Sequence, residues 1–290
     1  MLANGCITWD DSSMSCYSTV VITGASSGFG KAFAYRVAES RSRQACAQEL
    51  RFVLIARSED KLKALADDLT GKYGCDVVVL PCDLADGAAR ASMLQTVSAL
   101  RSDWMMLMNN AGLGDYGEFC TSEPERNHRM IEVNMTALVE TTRAMLPAML
   151  AARNAYIVNV ASLAGDLAIP DFAMYAASKA FVTSFSEALR IELAKTQVHV
   201  TAVCPGPSHT GFGDVARRTG KSKKEVPFRK WFYTSVECVV DSAYRAVLVN
   251  KARCYPSLKI RLVGLFVRNA PLWLLRLIMG SRPRKAVPAE

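Results

Sequence analysis

The chain has 290 residues, half of them hydrophobic and 21% charged, which is typical of a globular protein that buries a sizeable core. The formal net charge of +8 arises after residue 250, where nine Lys and Arg residues face one acid, so the charge gives no indication of nucleic-acid binding. The 9 cysteines lack C-x-x-C spacing and the 3 histidines do not cluster with them, which argues against a metal site and for a reducing compartment.

The first 18 residues are polar and acidic and contain no continuous apolar segment. This pattern is not that of a secretory signal peptide. We therefore expect a flexible leader at residues 1–18 and a cytoplasmic location, with peripheral membrane contact as a further option.

Short apolar segments alternate with helical patterns from residue 19 onward. The predicted strands are TVVIT (19–23), LRFVLIA (50–56), DVVVLPCDL (76–84), WMMLMNNAG (104–112), AYIVNVAS (155–162) and VHVTAVCPG (198–206). A long helix is predicted from about Glu123 to Arg153. Near-continuous apolar strands, each followed by a helix, form parallel sheets covered on both faces. The sequence therefore predicts an α/β fold with a single doubly wound Rossmann-type sheet over residues 19–257.

Two segments depart from this alternation. Residues 41–49 form a longer link between the first helix and the second strand than such units need. Residues 211–235 mix glycine, basic and aromatic residues without a clear period. We predict that this second segment is a lid.

The segment TGASSGFG (23–30) follows the first strand and opens the first helix. Gly24 permits a sharp turn, Gly28 permits close approach of the backbone to a pyrophosphate, and Gly30 permits close helix–sheet packing. The helix N-terminus then faces the phosphates. The segment predicts a dinucleotide site, the alternative being a purely structural turn.

The second predicted strand ends at Ala56, and Arg57 follows it. Enzymes selective for NAD place an acid at this point to bind the ribose 2′-hydroxyl. An arginine can instead hold a 2′-phosphate by charge-assisted hydrogen bonds. NADP(H) is therefore the predicted cofactor, and a solvated arginine at a strand end is the alternative.

The pattern Y-x-x-x-K occurs twice, as YAASK (175–179) and as YPSLK (255–259). Residues four apart on a helix share a face, so Lys179 can lie beside Tyr175 in the helical segment 173–195. Pro256 follows Tyr255 directly and disfavours a regular helix through the second pair. We predict that the first pair carries chemistry and that the second is structural.

Several motifs together resemble the classical short-chain dehydrogenase/reductase family. They are TGASSGFG, NNAG (109–112), Asn134 in EVNMTAL, Ser162 in VNVASLAG, YAASK and CPG (204–206), in that family's order and at similar separations. The match covers roughly residues 19–210. The resemblance implies an oxidoreductase with a nicotinamide cofactor, which forms dimers or tetramers through the helices that start near Glu123 and Met174.

The resemblance also implies a catalytic set of Asn134, Ser162, Tyr175 and Lys179. Tyr175 is then the general acid/base, Ser162 polarises the substrate oxygen, and Asn134 holds a water next to the lysine. A tyrosine has a reference pKa of about 10, which is high for proton transfer near neutral pH. We expect the Lys179 cation, together with the oxidised cofactor, to lower the pKa of Tyr175.

Further residues are assigned to the cofactor by the same resemblance and by the glycine loop. They are Gly24, Ser26, Ser27, Gly28, Phe29, Gly30, Arg57, Asp83, Leu84, Asn110, Gly112, Tyr175, Lys179, Pro205, Gly206, Ser208 and Thr210. Asp83 matches the acid that contacts adenine. Ser27 stands where many NADP-preferring members have a base, so Arg57 is expected to act without that second cation. Thr210 is equally consistent with a helix N-cap.

The predicted substrate pocket is apolar. Its candidates are Leu163, Phe172, Phe212 and Trp231, with Leu113, Ala164, Ile169, Phe228 and Phe232 as further members, although each residue could equally be helix-packing core. Apolar linings favour a hydrophobic ketone, aldehyde or secondary alcohol.

Residues 258–290 form a basic, apolar extension whose uncharged runs are too short to span a bilayer. Three interpretations are open: a helix pair over the pocket with Pro271 starting the second helix, an oligomer interface, or a peripheral contact with an anionic membrane.

The sequence thus predicts an NADP-dependent oxidoreductase that acts on a small apolar carbonyl or alcohol, with no metal and no nucleic-acid partner. A 3-oxoacyl or steroid-type reductase is possible within this class. The alternative from another class is a catalytically silent NADPH-binding regulatory protein.

Overall fold

The computed structural model describes residues 18–42, 50–216 and 232–280. Residues 1–17 of the predicted leader, 43–49 of the predicted long link and 217–231 of the predicted lid lie outside the described residues. Trp231 and Phe228, two of the pocket candidates, lie there as well.

The described strands form one parallel sheet. They are β1 (Ser18–Thr23), β2 (Leu50–Ala56), β3 (Asp76–Pro81), β4 (Trp104–Asn109), β5 (Asn154–Val160), β6 (Val198–Val203) and β7 (Arg253–Cys254). Their order is β3-β2-β1-β4-β5-β6-β7, and every neighbouring pair is parallel. The predicted α/β class with a single doubly wound sheet is confirmed.

The helices cover both faces of this sheet. They are α1 (Gly28–Ser42), α2 (Glu59–Tyr73), α3 (Gly87–Ser98), α4 (Pro124–Ile131), α5 (Ala137–Ala151), α6 (Ala173–Glu192), α7 (Phe212–Ala216), α8 (Val236–Leu248), α9 (Leu258–Asn269) and α10 (Leu272–Gly280). Val20 and Ile22 of β1 pack into a core with α1, α2 and α8, whereas Val21 packs into a core with α3, α5 and α6. Alternate residues of β1 are thus buried on opposite faces, which explains its continuous apolar sequence.

The chain changes its direction of winding between β3 and β4, which places β1 beside β4. A crevice opens at the carboxyl ends of strands at such a switch point. Thr23 Oγ1 accepts hydrogen bonds from the backbone N–H groups of Asn110 and Ala111, at 3.0 and 3.1 Å. The Asn110 Nδ2 donates to the carbonyl oxygens of Thr23 and Gly24, both at 3.0 Å. These bonds fix the two loops that border the crevice.

The predicted long helix from Glu123 to Arg153 is interrupted. A π-helical turn, Glu132–Thr136, separates α4 from α5. Such a turn inserts one extra residue into the helix and often marks a functional site. Asn134 lies in this turn and is buried. The apolar period of the sequence did not reveal the insertion because both flanking helices keep their own faces buried.

Four predicted strands are too long at their carboxyl ends. The structure ends them at Pro81, Asn109, Val160 and Val203, two or three residues before the predicted limits. The following residues turn away from the sheet as loops. The apolar runs continue because these loops border a buried crevice.

Residues 258–280 of the carboxyl-terminal extension form a helix pair, and Pro271 directly precedes its second helix, which agrees with the first of the three interpretations on these points. Residues 281–290 lie outside the described residues. The inner face of α9 packs on the sheet domain: Ile260 contacts Gly206, and the Tyr255 ring lies against Gly264. Within the described ranges, no helix combines the length and apolar character needed to span a bilayer.

Candidate active site

A cavity of about 570 Å³ opens at the carboxyl end of the sheet, over the switch point. Most of the predicted cofactor residues line it: Gly24, Ser26, Ser27, Gly28, Phe29, Arg57, Asp83, Leu84, Asn110, Gly112, Tyr175, Lys179, Pro205, Gly206, Ser208 and Thr210. Gly30 lies behind this lining, because a Cβ there would be 2.5 Å from the Gly24 carbonyl oxygen. Residues separated by up to 186 positions in sequence are thus brought to one cavity.

The glycine loop has the backbone that its sequence predicts. Gly24 and Gly28 have φ angles of +66° and +55°, which residues with a side chain rarely adopt. The free N-terminus of α1 begins at Gly28 and faces the cavity. Backbone N–H groups at a helix N-terminus bind phosphate. The loop fits the pyrophosphate of a dinucleotide.

One end of the cavity is basic. Arg57 is exposed at the end of β2, and Lys61, in the first turn of α2, lines the same wall. Asp83 is the single carboxylate among the described lining residues. Arg129 donates to the Asp83 Oδ2 at 2.8 Å. Burial acts to raise the pKa of Asp83, but the hydrogen bonds from Arg129 and the Ala85 N–H prevail and lower it.

Tyr175 lies at the other end of the cavity, next to two aromatic rings. Its ring centroid is 5.9 Å from that of Phe172 and 5.3 Å from that of Phe212. Burial raises the pKa of Tyr175 to about 12, and a hydrogen bond with Ser162 opposes the shift only in part. Lys179 by itself therefore does not produce the expected lowering of this pKa, because desolvation of the phenolate prevails. The contribution expected from the oxidised cofactor stays a prediction.

Lys179 lies beside Tyr175 on α6, as the spacing predicts, with its Nζ 5.9 Å from the centre of the tyrosine ring. The Nζ donates to the carbonyl oxygen of Val160 at 2.8 Å. Burial lowers the pKa of Lys179 to about 8. The ammonium form of Lys179 therefore predominates at neutral pH, and it loses its proton at about pH 8.

Ser162 follows β5 and lines the cavity next to Tyr175. Its Oγ accepts a hydrogen bond from the Ala164 N–H at 3.1 Å, at the start of the 3₁₀ turn Leu163–Asp166. This bond uses the oxygen as an acceptor, so the hydroxyl proton is available to an oxygen at the cavity, and the Tyr175 oxygen is such a partner. The arrangement suits a serine that polarises a carbonyl oxygen.

Asn134 is not part of the cavity wall but lies behind it. Its side chain accepts from the Leu113 N–H at 2.7 Å and donates to the Leu113 carbonyl oxygen at 2.9 Å. It also donates to the Ser178 Oγ at 2.9 Å. Gly112 separates Asn134 from Lys179: a Cβ there would be 3.5 Å from the Asn134 Oδ1 and 3.4 Å from the Lys179 Nζ. Asn134 thus ties the π turn to both the cofactor loop and α6.

The predicted substrate residues are placed as follows. Leu113, Leu163, Ala164, Ile169, Phe172 and Phe212 line the cavity. Phe232 is described but is not part of the lining. The start of the predicted lid, α7, packs on the loop after β4, since the Tyr116 N–H donates to the Ala216 carbonyl oxygen at 2.9 Å. Thr210 lines the cavity, and its Oγ1 accepts from the Phe212 N–H at 3.4 Å. It is not the N-cap of α7, because that helix begins at Phe212 and Thr210 lies one residue before the N-cap position.

The second Y-x-x-x-K pair is structural, as predicted. Tyr255 lies between β7 and α9, outside any helix, and Lys259 is in α9. The Tyr255 hydroxyl donates to the Asp166 Oδ2 at 2.8 Å, and Arg253 contacts the other carboxylate oxygen of Asp166 at 3.3 Å. This network anchors the 3₁₀ turn that follows Ser162.

Sequence reasoning missed three polar residues of the site: Lys61, Arg129 and Ser178. Lys61 could have been found from the sequence, because it lies four residues after Arg57 at the start of a predicted helix. Arg129 and Ser178 could not have been found in this way, since their partners Asp83 and Asn134 are 46 and 44 positions away in the chain.

The fold and the site together define a class of protein. A doubly wound sheet with a glycine loop that fits a dinucleotide, and with serine, tyrosine and lysine side chains at the same cavity, is typical of a nicotinamide-dependent oxidoreductase. Comparison with known proteins gives the family. A profile of the short chain dehydrogenase family matches residues 18–220, and the chain belongs to this family.

Three known proteins illustrate the similarity. A sulfoacetaldehyde reductase from Chromohalobacter salexigens is 38% identical over 206 residues, 69% of this chain and 76% of that protein. The structure of a short-chain dehydrogenase from Sphingobium yanoikuyae in complex with NADPH has a TM-score of 0.74 at 29% identity and covers 94% of this chain and 98% of that one. A Burkholderia phymatum short chain dehydrogenase/reductase in complex with NAD has a TM-score of 0.72 at 25% identity, covering 94% and 98%. A nicotinamide cofactor is therefore supported.

Proposed function

We propose that this protein is an NADPH-dependent reductase of apolar ketones or aldehydes. One observation carries the proposal: Ser162, Tyr175 and Lys179 meet at the apolar end of a cavity whose other end is basic. The predicted alcohol oxidation is the same reaction in reverse.

The preference for NADPH over NADH rests on charge at the basic end. Arg57 and Lys61 both line the wall beside the glycine loop. The one carboxylate of the described lining, Asp83, is paired with Arg129 and is not placed at the end of β2. A 2′-phosphate would gain two cations there, and the charge of Asp83 is already paired with Arg129. Lys61 supplies the second cation that the glycine loop lacks.

The chain's own residues account for proton transfer. NADPH supplies the hydride when bound. Tyr175, with its raised pKa, stays protonated throughout the neutral range and can donate its proton to the developing alkoxide. The Ser162 hydroxyl donates a hydrogen bond to the same oxygen. The Lys179 ammonium stabilises the tyrosinate that remains. Reduction requires the protonated tyrosine, which is the form present at neutral pH.

The lining supports an apolar substrate. Leu113, Leu163, Ile169, Phe172 and Phe212 surround the end that holds Tyr175. Long-chain 3-oxoacyl or steroid-type ketones suit such a lining. A sulfonated aldehyde suits it less, because Lys179 is the one cation of the described lining at this end, and its Nζ already binds the Val160 carbonyl.

A catalytically silent NADPH-binding regulator is the second candidate, but the complete Ser–Tyr–Lys group opposes it. The deciding experiment is an NADPH absorbance assay with the full chain over apolar ketones and aldehydes of increasing size, with Tyr175→Phe as the control. Turnover that the variant lacks supports the reductase. Tight NADPH binding without turnover of any ketone or aldehyde would instead support the regulator. We further propose a homo-oligomer, a dimer or a tetramer, as is usual in the family, and a cytoplasmic location.

A further inference from the structure

Helix α9 presents an apolar face to solvent. We call this face, formed by Leu258, Leu262, Leu265 and Phe266, the outer face of α9. These four residues are between 44 and 70% exposed. They recur at intervals of three and four positions and therefore lie on one side of the helix. Exposed apolar residues that form one contiguous stripe mark an interaction surface.

The opposite side of α9 is firmly packed, so the outer face is not the result of a detached helix. Ile260 is fully buried and Val267 is 6% exposed. Ile260 contacts Gly206, which lines the cavity, and Gly264 packs on the Tyr255 ring. Ser257 caps the helix by accepting from the Ile260 N–H at 3.3 Å. The domain holds α9 in one orientation and leaves the outer face uncovered among the described residues.

Cations border the outer face on both sides. At 100° per residue, Arg261 and Arg268 lie along one edge and Lys259 lies along the other. No acidic residue occurs between Asp241 and Glu290. An apolar stripe with basic edges matches a surface that is apolar inside and anionic at its rim.

Helix α10 also exposes apolar and basic side chains. Trp273 and Leu277 are 66 and 67% exposed, and Arg276 between them is exposed as well. Tryptophan favours the boundary between headgroups and acyl chains, where its ring is apolar and its N–H remains hydrated. Both helices are too short to cross a bilayer, but each is long enough to lie along its surface.

We propose that the outer face of α9, with Trp273 and Leu277 of α10, docks on the surface of an anionic lipid membrane. The apolar residues enter the acyl boundary, and Arg261, Arg268 and Arg276 contact lipid phosphates. A second copy of the chain fits this surface less well. A two-fold contact of the outer face with itself brings arginines of both copies together, and neither helix carries an acid to pair with them.

The docking places the proposed reaction next to a source of apolar substrate. Helix α9 contacts the 3₁₀ turn after Ser162, and Ile260 contacts Gly206 of the cavity wall. An apolar ketone dissolved in the membrane would then be concentrated near the cavity. This consequence rests on the proposed function, whereas the docking itself does not.

The test is sedimentation of the purified full chain with vesicles, one set of phosphatidylcholine alone and one with roughly 30% phosphatidylserine, which carries the anionic charge that basic segments recognise. We expect binding to the anionic vesicles only, weakened by added salt. Leu262→Glu with Phe266→Glu should abolish it. Val249→Glu, at a 58% exposed position at the end of α8, is the matched control and should bind like the wild type.

A second variant pair tests the cations. Each cation near an anionic surface contributes a factor of about five to binding, so Arg261→Gln with Arg268→Gln should lower partitioning about 25-fold. Lys195→Gln with Arg101→Gln removes the same charge at exposed positions elsewhere and should have little effect. Two results would overturn the proposal. The first is that the chain does not sediment with anionic vesicles. The second is that Leu262→Glu with Phe266→Glu converts an oligomer into a monomer without changing vesicle binding, because a second copy of the chain then covers the outer face of α9. NADPH turnover in detergent-free solution is measured separately and reports on the proposed function alone.

Discussion

The Lys179 ammonium donates a hydrogen bond to the carbonyl oxygen of Val160, the last residue of β5, at 2.8 Å. This bond joins the helix that carries Tyr175 to the strand that leads to Ser162. It also partly satisfies a fully buried cation whose pKa is lowered to about 8 by its burial. Burial of the charged Lys179 side chain thus costs desolvation free energy, which the bond to Val160 offsets in part.

That cost predicts a pH dependence of stability. Lys179 is neutral in the folded protein above pH 8 but stays protonated in the unfolded chain up to about pH 10.5. The unfolded state then binds more protons, so the free energy of unfolding should rise with pH in this window by on the order of 1 kcal/mol per pH unit from this group. The loss from Tyr175 begins only above pH 10, where the unfolded tyrosine ionises.

Lys179→Met should remove this rise. The measurement is urea denaturation of wild type and variant, both without nucleotide, from pH 7 to 10, with the exposed Lys195→Met as the control. Parallel stability curves for Lys179→Met and wild type would contradict the assignment.

Tyr175→Phe should lower the rate of ketone reduction by about 10²- to 10⁴-fold, the usual contribution of a positioned general acid. NADPH binding, measured by fluorescence titration, should change little, because the ring remains in place. Tyr255→Phe is the matched control from the second Y-x-x-x-K pair. It should keep activity within about twofold and cost about 1 kcal/mol of stability through the lost bond to Asp166. Similar loss of activity in both variants would contradict the choice between the two pairs.

Arg57→Ala and Lys61→Ala should each lower kcat/KM for NADPH about 10- to 100-fold, as expected for one charge-assisted hydrogen bond to a phosphate. Activity with NADH should change much less, since NADH has no 2′-phosphate. Lys63→Ala removes an exposed cation that pairs with Glu59 and serves as the control. An unchanged ratio of NADPH to NADH activity in the two variants would refute the assignment of both residues.

Asn134→Ala should cost more stability than Ser178→Ala. The first change leaves the N–H and the carbonyl oxygen of Leu113 without their side-chain partner, a loss of about 3 kcal/mol. The second change removes a single hydroxyl that accepts from Asn134, a loss of about 1 kcal/mol. Chemical denaturation measures both values. Equal, small losses would show that Asn134 does not hold the cofactor loop.

Much of the fold could be predicted because each local pattern agrees with the global arrangement. Strand β2 was predicted at its observed limits, since an apolar run bounded by polar segments has only one way to be buried. The π turn at Asn134 could not be predicted, because one inserted residue leaves the apolar faces of α4 and α5 intact. The over-long strand ends show the same limitation, since apolar loops at a buried crevice resemble strand.

The candidate site also has features that the sequence predicts and features that only the packing determines. The glycine loop and the pair Tyr175 and Lys179 are local signals, fixed by backbone conformation and by helical spacing. The raised pKa of Tyr175 is not local, because it is caused by burial, to which the neighbouring rings of Phe172 and Phe212 contribute.

The sequence by itself determined the order of strands and helices along the chain, the glycine loop at Gly24 and Gly28, and the shared helix face of Tyr175 and Lys179. These features follow from patterns that extend over only a few residues. Only the tertiary structure decided that Lys61 joins Arg57 at one wall, that Asn134 supports Leu113 from behind, and that α9 turns Leu262 and Phe266 outward. Which side of a helix is covered, and which charges meet, depends on the element that packs opposite, and that element is distant in the chain.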